Sequence, residues 1–219
     1  MMKLALVVLI ACVSSTLADK VACDVDNFKT AQDNFAKNLG IPTSDNWAKP
    51  LDLFLAIHNY YGGDAKLGLV KVCNYFNAML DELNGKNIDV KTCFDPLFIL
   101  GHEQIPDEGL HYLGVIGALR FQCGAGLYPV MDNDRWPCAS KVFGDSGAKM
   151  VKVISDLIKS TDVDRVNRCQ MVKDNEIKYY KPLHDACSTP ETSYFGCQTF
   201  NQFFNAMYAD CSNECKLIA

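Results

Sequence analysis

The chain has 219 residues, 21 of them basic and 26 acidic, for a formal net charge of −5 with neutral histidines. The charges are mixed without long single-sign blocks, which argues against nucleic acid or an anionic membrane surface as the main partner. With 49% hydrophobic residues and no low-complexity tract, the chain is long enough to bury a core of its own.

Residues 1–18 follow the order of a secretory signal peptide. Met1, Met2 and Lys3 form a short basic start, residues 4–13 an apolar run, and Ser14, Ser15 and Thr16 lead to Leu17 and Ala18. The apolar run is about ten residues, roughly half of what a membrane span needs. Cleavage is expected after Ala18, leaving a secreted, extracellular chain with no membrane span. The loss of Lys3 and Cys12 leaves 20 basic against 26 acidic residues, a net charge near −6.

Asp24 and Asp26 precede Phe28, Ala31, Phe35 and Leu39, an apolar stripe at helical spacing that Gly40 and Pro42 stop. A second, short helix is expected over residues 50–61, with Leu51, Phe54, Leu55 and His58 on one side. A third runs from Ala65 to the Asn84-Gly85 pair, carrying Leu69, Val72, Cys73, Phe76, Leu80 and Leu83. Residues 107–122 give a fourth, followed by a loop that Gly124, Gly126, Pro129 and Pro137 break and that Cys123 and Cys138 staple. Met150, Val151, Ile154, Leu157 and Ile158 mark a fifth helix that ends near Thr161, and residues 166–172 a sixth. The last helix is expected over residues 199–216, with Phe200, Phe203, Phe204, Met207 and Tyr208. Alternating strand patterns are rare. The predicted fold is all-α, a disulfide-stapled bundle of about six to seven helices. Residues 19–219 form a single secreted cysteine-rich domain, with 19–65 readable as an appended helical pair.

Ten cysteines remain after cleavage: Cys23, Cys73, Cys93, Cys123, Cys138, Cys169, Cys187, Cys197, Cys211 and Cys215. An even number entering an oxidising compartment reads as five disulfides, chosen from about 945 pairings that the sequence does not distinguish. Cys211 and Cys215 sit four apart on the expected last helix, so each should bond elsewhere. Each bridge stabilises by about 2 to 4 kcal/mol, and reduction should severely loosen the protein.

Catalytic motifs are sparse. His184-Asp185-Ala186-Cys187 resembles the His-Asp-x-Cys of secreted phospholipase A2, and Cys123-Gly124-Ala125-Gly126 resembles the calcium loop of that family. The resemblance implies a water-orienting His184 and a calcium-ligating Asp185. Tyr180 and Lys181 stand where that family has cysteines, however, and the two motifs lie far apart, so the six to eight oxygens calcium needs are not supplied locally. The plainer reading is a solvated turn after Pro182 and a bridge-anchored loop. His58, His102, His111 and His184 lack metal-binding spacing, and no Cys-x-x-Cys occurs. No metal, cofactor or catalytic residue is expected.

From Cys73 onward a more extended likeness emerges. The aromatic helices bearing Cys73 and Cys197, the segment Phe121-Gln122-Cys123-Gly124-Ala125-Gly126, and the closing Tyr208-Ala209-Asp210-Cys211-Ser212-Asn213-Glu214-Cys215 resemble a nematode family of secreted cysteine-rich helical proteins, the domain-of-unknown-function family 19. The likeness covers residues 66–215, about two-thirds of the chain, and implies an extracellular helical module. The function expected is that of a non-enzymatic binding or interaction protein, in body fluid or host defence, with an extracellular protein as partner. The alternative is a carrier of lipid or another small apolar ligand, for which the aromatic stripe at residues 200–208 could line a pocket. A divergent phospholipase A2-like hydrolase stands third and requires His184, Asp185 and residues 123–126 to converge.

Overall fold

The computed structural model describes residues 20–42, 48–102, 105–132 and 135–217; the expected signal peptide lies outside them. Among the described residues there are ten helices: α1 (Val25–Asn38), α2 (Pro50–Gly63), α3 (Gly68–Gly85), α4 (Val90–Cys93), α5 (Pro96–His102), α6 (Pro106–Gln122), α7 (Leu127–Met131), α8 (Arg135–Val163), α9 (Arg168–Cys187) and α10 (Pro190–Met207). The all-α expectation holds, but six to seven helices were too few. The additional elements α4, α5 and α7 have 4, 7 and 5 residues, too short to carry a periodic stripe.

Local chemistry explains where the long helices begin and end. Asp24 caps α1 by accepting from the backbone N–H of Asn27 at 2.9 Å. Gly40, at φ 70°, ends it with a Schellman motif, its N–H bonded to the Lys37 carbonyl and that of Ile41 to the Ala36 carbonyl. α8 starts well before the expected stripe because Pro137 falls in its first turn, where a missing N–H is harmless. α9 runs through Pro182, replacing the expected turn with helix. Tyr179, Tyr180 and Leu183 are fully buried around that proline, and such burial offsets a proline cost of about 3 kcal/mol. α10 begins at Pro190, with Thr189 as its cap, and ends at Met207 instead of continuing to residue 216.

α6 lies at the centre. Residues 111–116 are buried in succession, as a helix surrounded on all sides requires, and α6 packs on α10, α2, α5 and α3. α8 packs on α2 and α9, α9 on α10, and α1 on α3. The α2–α8 crossing depends on two facing glycines: a Cβ built on Gly62 would lie 2.4 Å from the Gly144 Cα. Aromatic rings fill the space between helices. Phe143 meets His58, Tyr61, Trp136 and Phe195, and Phe204 meets Phe200, Phe203 and Tyr208 in tilted and edge-on contacts. The stripe that could have lined a lipid pocket is therefore packed core.

Several buried polar groups in this core satisfy one another. The Nδ1–H of His58 donates to the Phe54 carbonyl at 2.8 Å, which fixes the tautomer and leaves Nε2 to accept from the Tyr179 hydroxyl at 2.9 Å. Tyr61 donates to Gln122 at 2.8 Å, and Gln122 donates to Thr199 at 3.3 Å, joining α2, α6 and α10.

The cysteines pair as Cys23–Cys93, Cys73–Cys123, Cys138–Cys187, Cys169–Cys211 and Cys197–Cys215. Cys73 ties α3 to the end of α6. Cys123 and Cys138 are thus anchored to different partners at either end of the intervening turn. Cys211 and Cys215 do bond elsewhere, but both lie in irregular chain beyond α10. Among the described residues no bridge connects the chain before residue 124 to the chain after residue 137. No described helix is long and apolar enough to cross a membrane.

Two predictions follow from this packing. Burial lowers the pKa of His58 from 6.5 to about 4, partly opposed by its bond to Phe54. The unfolded chain therefore takes up a proton at this group before the folded chain does, and stability is full above about pH 6.5 and falls toward pH 4 by about 3 kcal/mol. Urea titrations across that range should show this slope, and His58→Phe should flatten it while lowering stability at pH 7, because Tyr179 loses its acceptor. Gly62→Ala should cost about 1 to 3 kcal/mol by overpacking. Gly63→Ala, where a Cβ meets nothing within 4 Å, should be neutral in the same urea titrations.

Candidate functional site

The described histidines are dispersed into separate structural roles. His58 is core, His102 bonds the Phe98 carbonyl at 2.8 Å, and His111 pairs with Glu108 at 3.1 Å. Among the described residues the one grouping of three potential metal ligands is Cys169, Asp210 and Cys211. Its two sulfurs are bonded to each other, and Asp210 binds Arg168 at 2.6 Å, so it offers no thiolate and no free carboxylate.

His184 lies in a more suggestive place. α9 ends at Cys187, Ser188 turns the chain in the left-handed conformation at φ 50°, and Thr189 and Pro190 open α10. Against this corner lies a cavity of about 610 Å³ lined by His184, Asp185, Ser188, Thr189, Pro190, Ser193 and Leu217. Shallower grooves elsewhere hold about 450 to 490 Å³. Two bridges fix the walls: Cys138–Cys187 holds the end of α9, and Cys197–Cys215 holds the tail that carries Leu217. The tail is secured again by Tyr180, whose hydroxyl donates to the Lys216 carbonyl at 2.7 Å, and by buried Glu176, which accepts from the Lys216 N–H at 3.2 Å.

The cleft is lined by hydroxyls, an imidazole, the Asp185 carboxylate and apolar edges at Pro190 and Leu217. Ser193 is 2% exposed and donates to the Thr189 carbonyl at 3.2 Å. The same hydroxyl lies 3.3 Å from the Nδ1 of His184. Asp185, which also lines the cleft, pairs with the Lys181 ammonium at 2.8 Å.

Sequence reasoning found His184 and Asp185 but missed Ser188, Thr189, Ser193 and Leu217, which carry no motif and meet only through the helical corner. The convergence that a phospholipase-like centre requires is not present in the cleft. Cys123 is tied to Cys73, residues 123–126 form a turn after α6, and none of them lines the cavity. Comparison with protein-family models, curated proteins and solved structures finds no match to this chain.

Asp185 is paired, the glycine turn is held elsewhere, and among the described residues no oxygen set for calcium gathers beside His184. Millimolar calcium should leave the thermal midpoint and the amide resonances of residues 123–126 and 184–187 unmoved. A site-specific, saturable shift at both segments would restore the phospholipase reading.

Proposed function

We propose that this chain is a non-enzymatic extracellular binding protein whose ligand seats in the cleft between the end of α9, the start of α10 and the C-terminal tail. One observation carries the reading: the roomiest cavity of those described lies where two disulfides fix both of its walls, and pre-set walls reduce the ordering cost of binding. Five bridges suit an oxidising compartment, and the N-terminal pattern of residues 1–18 supplies the route to it. The likeness to secreted nematode cysteine-rich proteins supports the same setting, with body fluid or host defence as its context. The lining of hydroxyls, imidazole and the Asp185 carboxylate, with Pro190 and Leu217 as apolar edges, suits a compact ligand that is polar on one side. A carrier of apolar ligands, the alternative function, would use this cleft as well, since the aromatic stripe is packed.

The test is native mass spectrometry of residues 19–219, oxidised to five bridges, after incubation with separate polar and lipid extracts. Expected is a defined adduct released by organic extraction and lost in Pro190→Trp, which projects an indole into the cleft. A lipid adduct would select the carrier reading. A bare mass with both extracts, or an adduct indifferent to Pro190→Trp, would overturn the cleft assignment.

A further inference from the structure

A second groove lies on a different face, between α6 and α10. Its volume is about 450 Å³, within the range of small-molecule sites, and Gly117, Arg120, Phe121, Ala125, Gln202, Asn205 and Ala206 line it. Phe121 and Ala125 belong to the Phe-Gln-Cys-Gly-Ala-Gly segment singled out in the sequence, which the α9–α10 cleft does not use.

The chemistry of the groove is asymmetric. Arg135 pairs with Glu191 at 2.9 Å, and Arg168 pairs with Asp210 at 2.6 Å. Among the described residues no carboxylate pairs with Arg120. Its guanidinium lies over the Phe94 ring, 4.9 Å from the centroid, and partial burial lowers its pKa below the ordinary guanidinium value. Arg120 is exposed at the edge of the groove, where its planar fork can meet an anionic ligand. Gln202 and Asn205, at i and i+3 on α10, bring two carboxamides to the same groove. The Oδ1 of Asn205 already accepts from the Asn213 N–H at 3.4 Å, which leaves its Nδ2 to donate outward. Phe121, Ala125 and Ala206 supply an apolar remainder. Gly117 keeps the helices close: a Cβ there would come within 2.5 Å of the Gln202 carbonyl and 2.7 Å of the Ala206 Cβ.

We infer that the α6–α10 groove binds the carboxylate of a small organic acid, with Arg120 clamping the oxyanion, Gln202 and Asn205 donating beside it, and the apolar body lying against Phe121, Ala125 and Ala206. This site is independent of the α9–α10 cleft.

The test is an NMR titration of the ¹⁵N-labelled, five-bridge chain at neutral pH and low salt with sodium octanoate, 1-octanol and inorganic phosphate in parallel. Expected are saturable octanoate shifts at Gly117, Arg120, Gln202 and Asn205. Octanol and phosphate should bind at least about tenfold more weakly, since each lacks one half of the ligand. Arg120→Gln should weaken octanoate by about 10- to 100-fold, and Arg120→Lys by less, because a point charge remains without the fork. Intact bridges by mass and an unchanged helical spectrum establish that Arg120→Gln folds. No shift at these residues up to millimolar octanoate, an unweakened Arg120→Gln, or shifts confined to residues 184–193 would overturn the inference. Phosphate binding as tightly as octanoate would overturn the organic-acid assignment.

Discussion

The architecture depends on how closely its helices approach. At the α2–α8 crossing the backbones meet through Gly62 and Gly144, and α6 reaches the backbone of α10 at Gly117. Once the axes are that close, the rings of Phe143, Phe195, Phe200, Phe203 and Phe204 can fill the remaining volume at the density of a close-packed interior. The few polar side chains trapped among them must find partners across the helix interfaces. The His58–Tyr179 and Tyr61–Gln122–Thr199 bonds are that consequence, and they also fix the rotation of the helices, because each bond has one workable geometry.

The disulfides act on the parts that this packing does not hold. Cys23–Cys93 ties the stretch before α1 to the four-residue α4, beside an isolated bridge between Val21 and Ile88. Cys169–Cys211 and Cys197–Cys215 secure the irregular tail beyond α10. Chain segments with too little apolar area to remain docked are thereby kept against the body, and one of them forms a wall of the cleft near His184. That wall is held by a bridge together with the Tyr180 and Glu176 bonds to Lys216, whereas the α6–α10 groove is shaped mainly by helix approach.

Much of the fold was legible in the residues. α1, α2, α3 and α6 lie within a few residues of their expected spans because each has an unbroken apolar stripe and a clear stop. Two of the misread boundaries trace to prolines at 137 and 182, which read locally as breaks; the end of α10 at Met207 carries no such signal. Pro137 in fact sits in a first turn where proline is tolerated, and Pro182 is overridden by the burial of its neighbours. The ten cysteines were legible as bridge formers, but their pairing was not, since pairing is a property of the assembled helices. The cleft was half legible. His184 and Asp185 attracted notice through a motif whose chemistry the structure does not assemble, while Ser188, Thr189, Ser193 and Leu217 come together only because Ser188 turns the chain and Cys215 returns the tail. Arg120 was invisible as a site residue because no motif marks it and its neighbours Gln202 and Asn205 come from a helix some eighty residues away.

The division of the bridges at residues 124–137 has a consequence for oxidative folding. Four of the paired cysteines precede that stretch and bond only among themselves; the other six follow it and do likewise. A chain delivered N-terminus first into an oxidising compartment thus presents a self-sufficient set of thiols before the first cysteine of the other set arrives. Closure in that order reduces the possible pairings from about 945 to about 45. The two closed halves then meet through α6 against α10 and α2 against α8, so the final assembly step is one of shape and burial and requires no further sulfur chemistry.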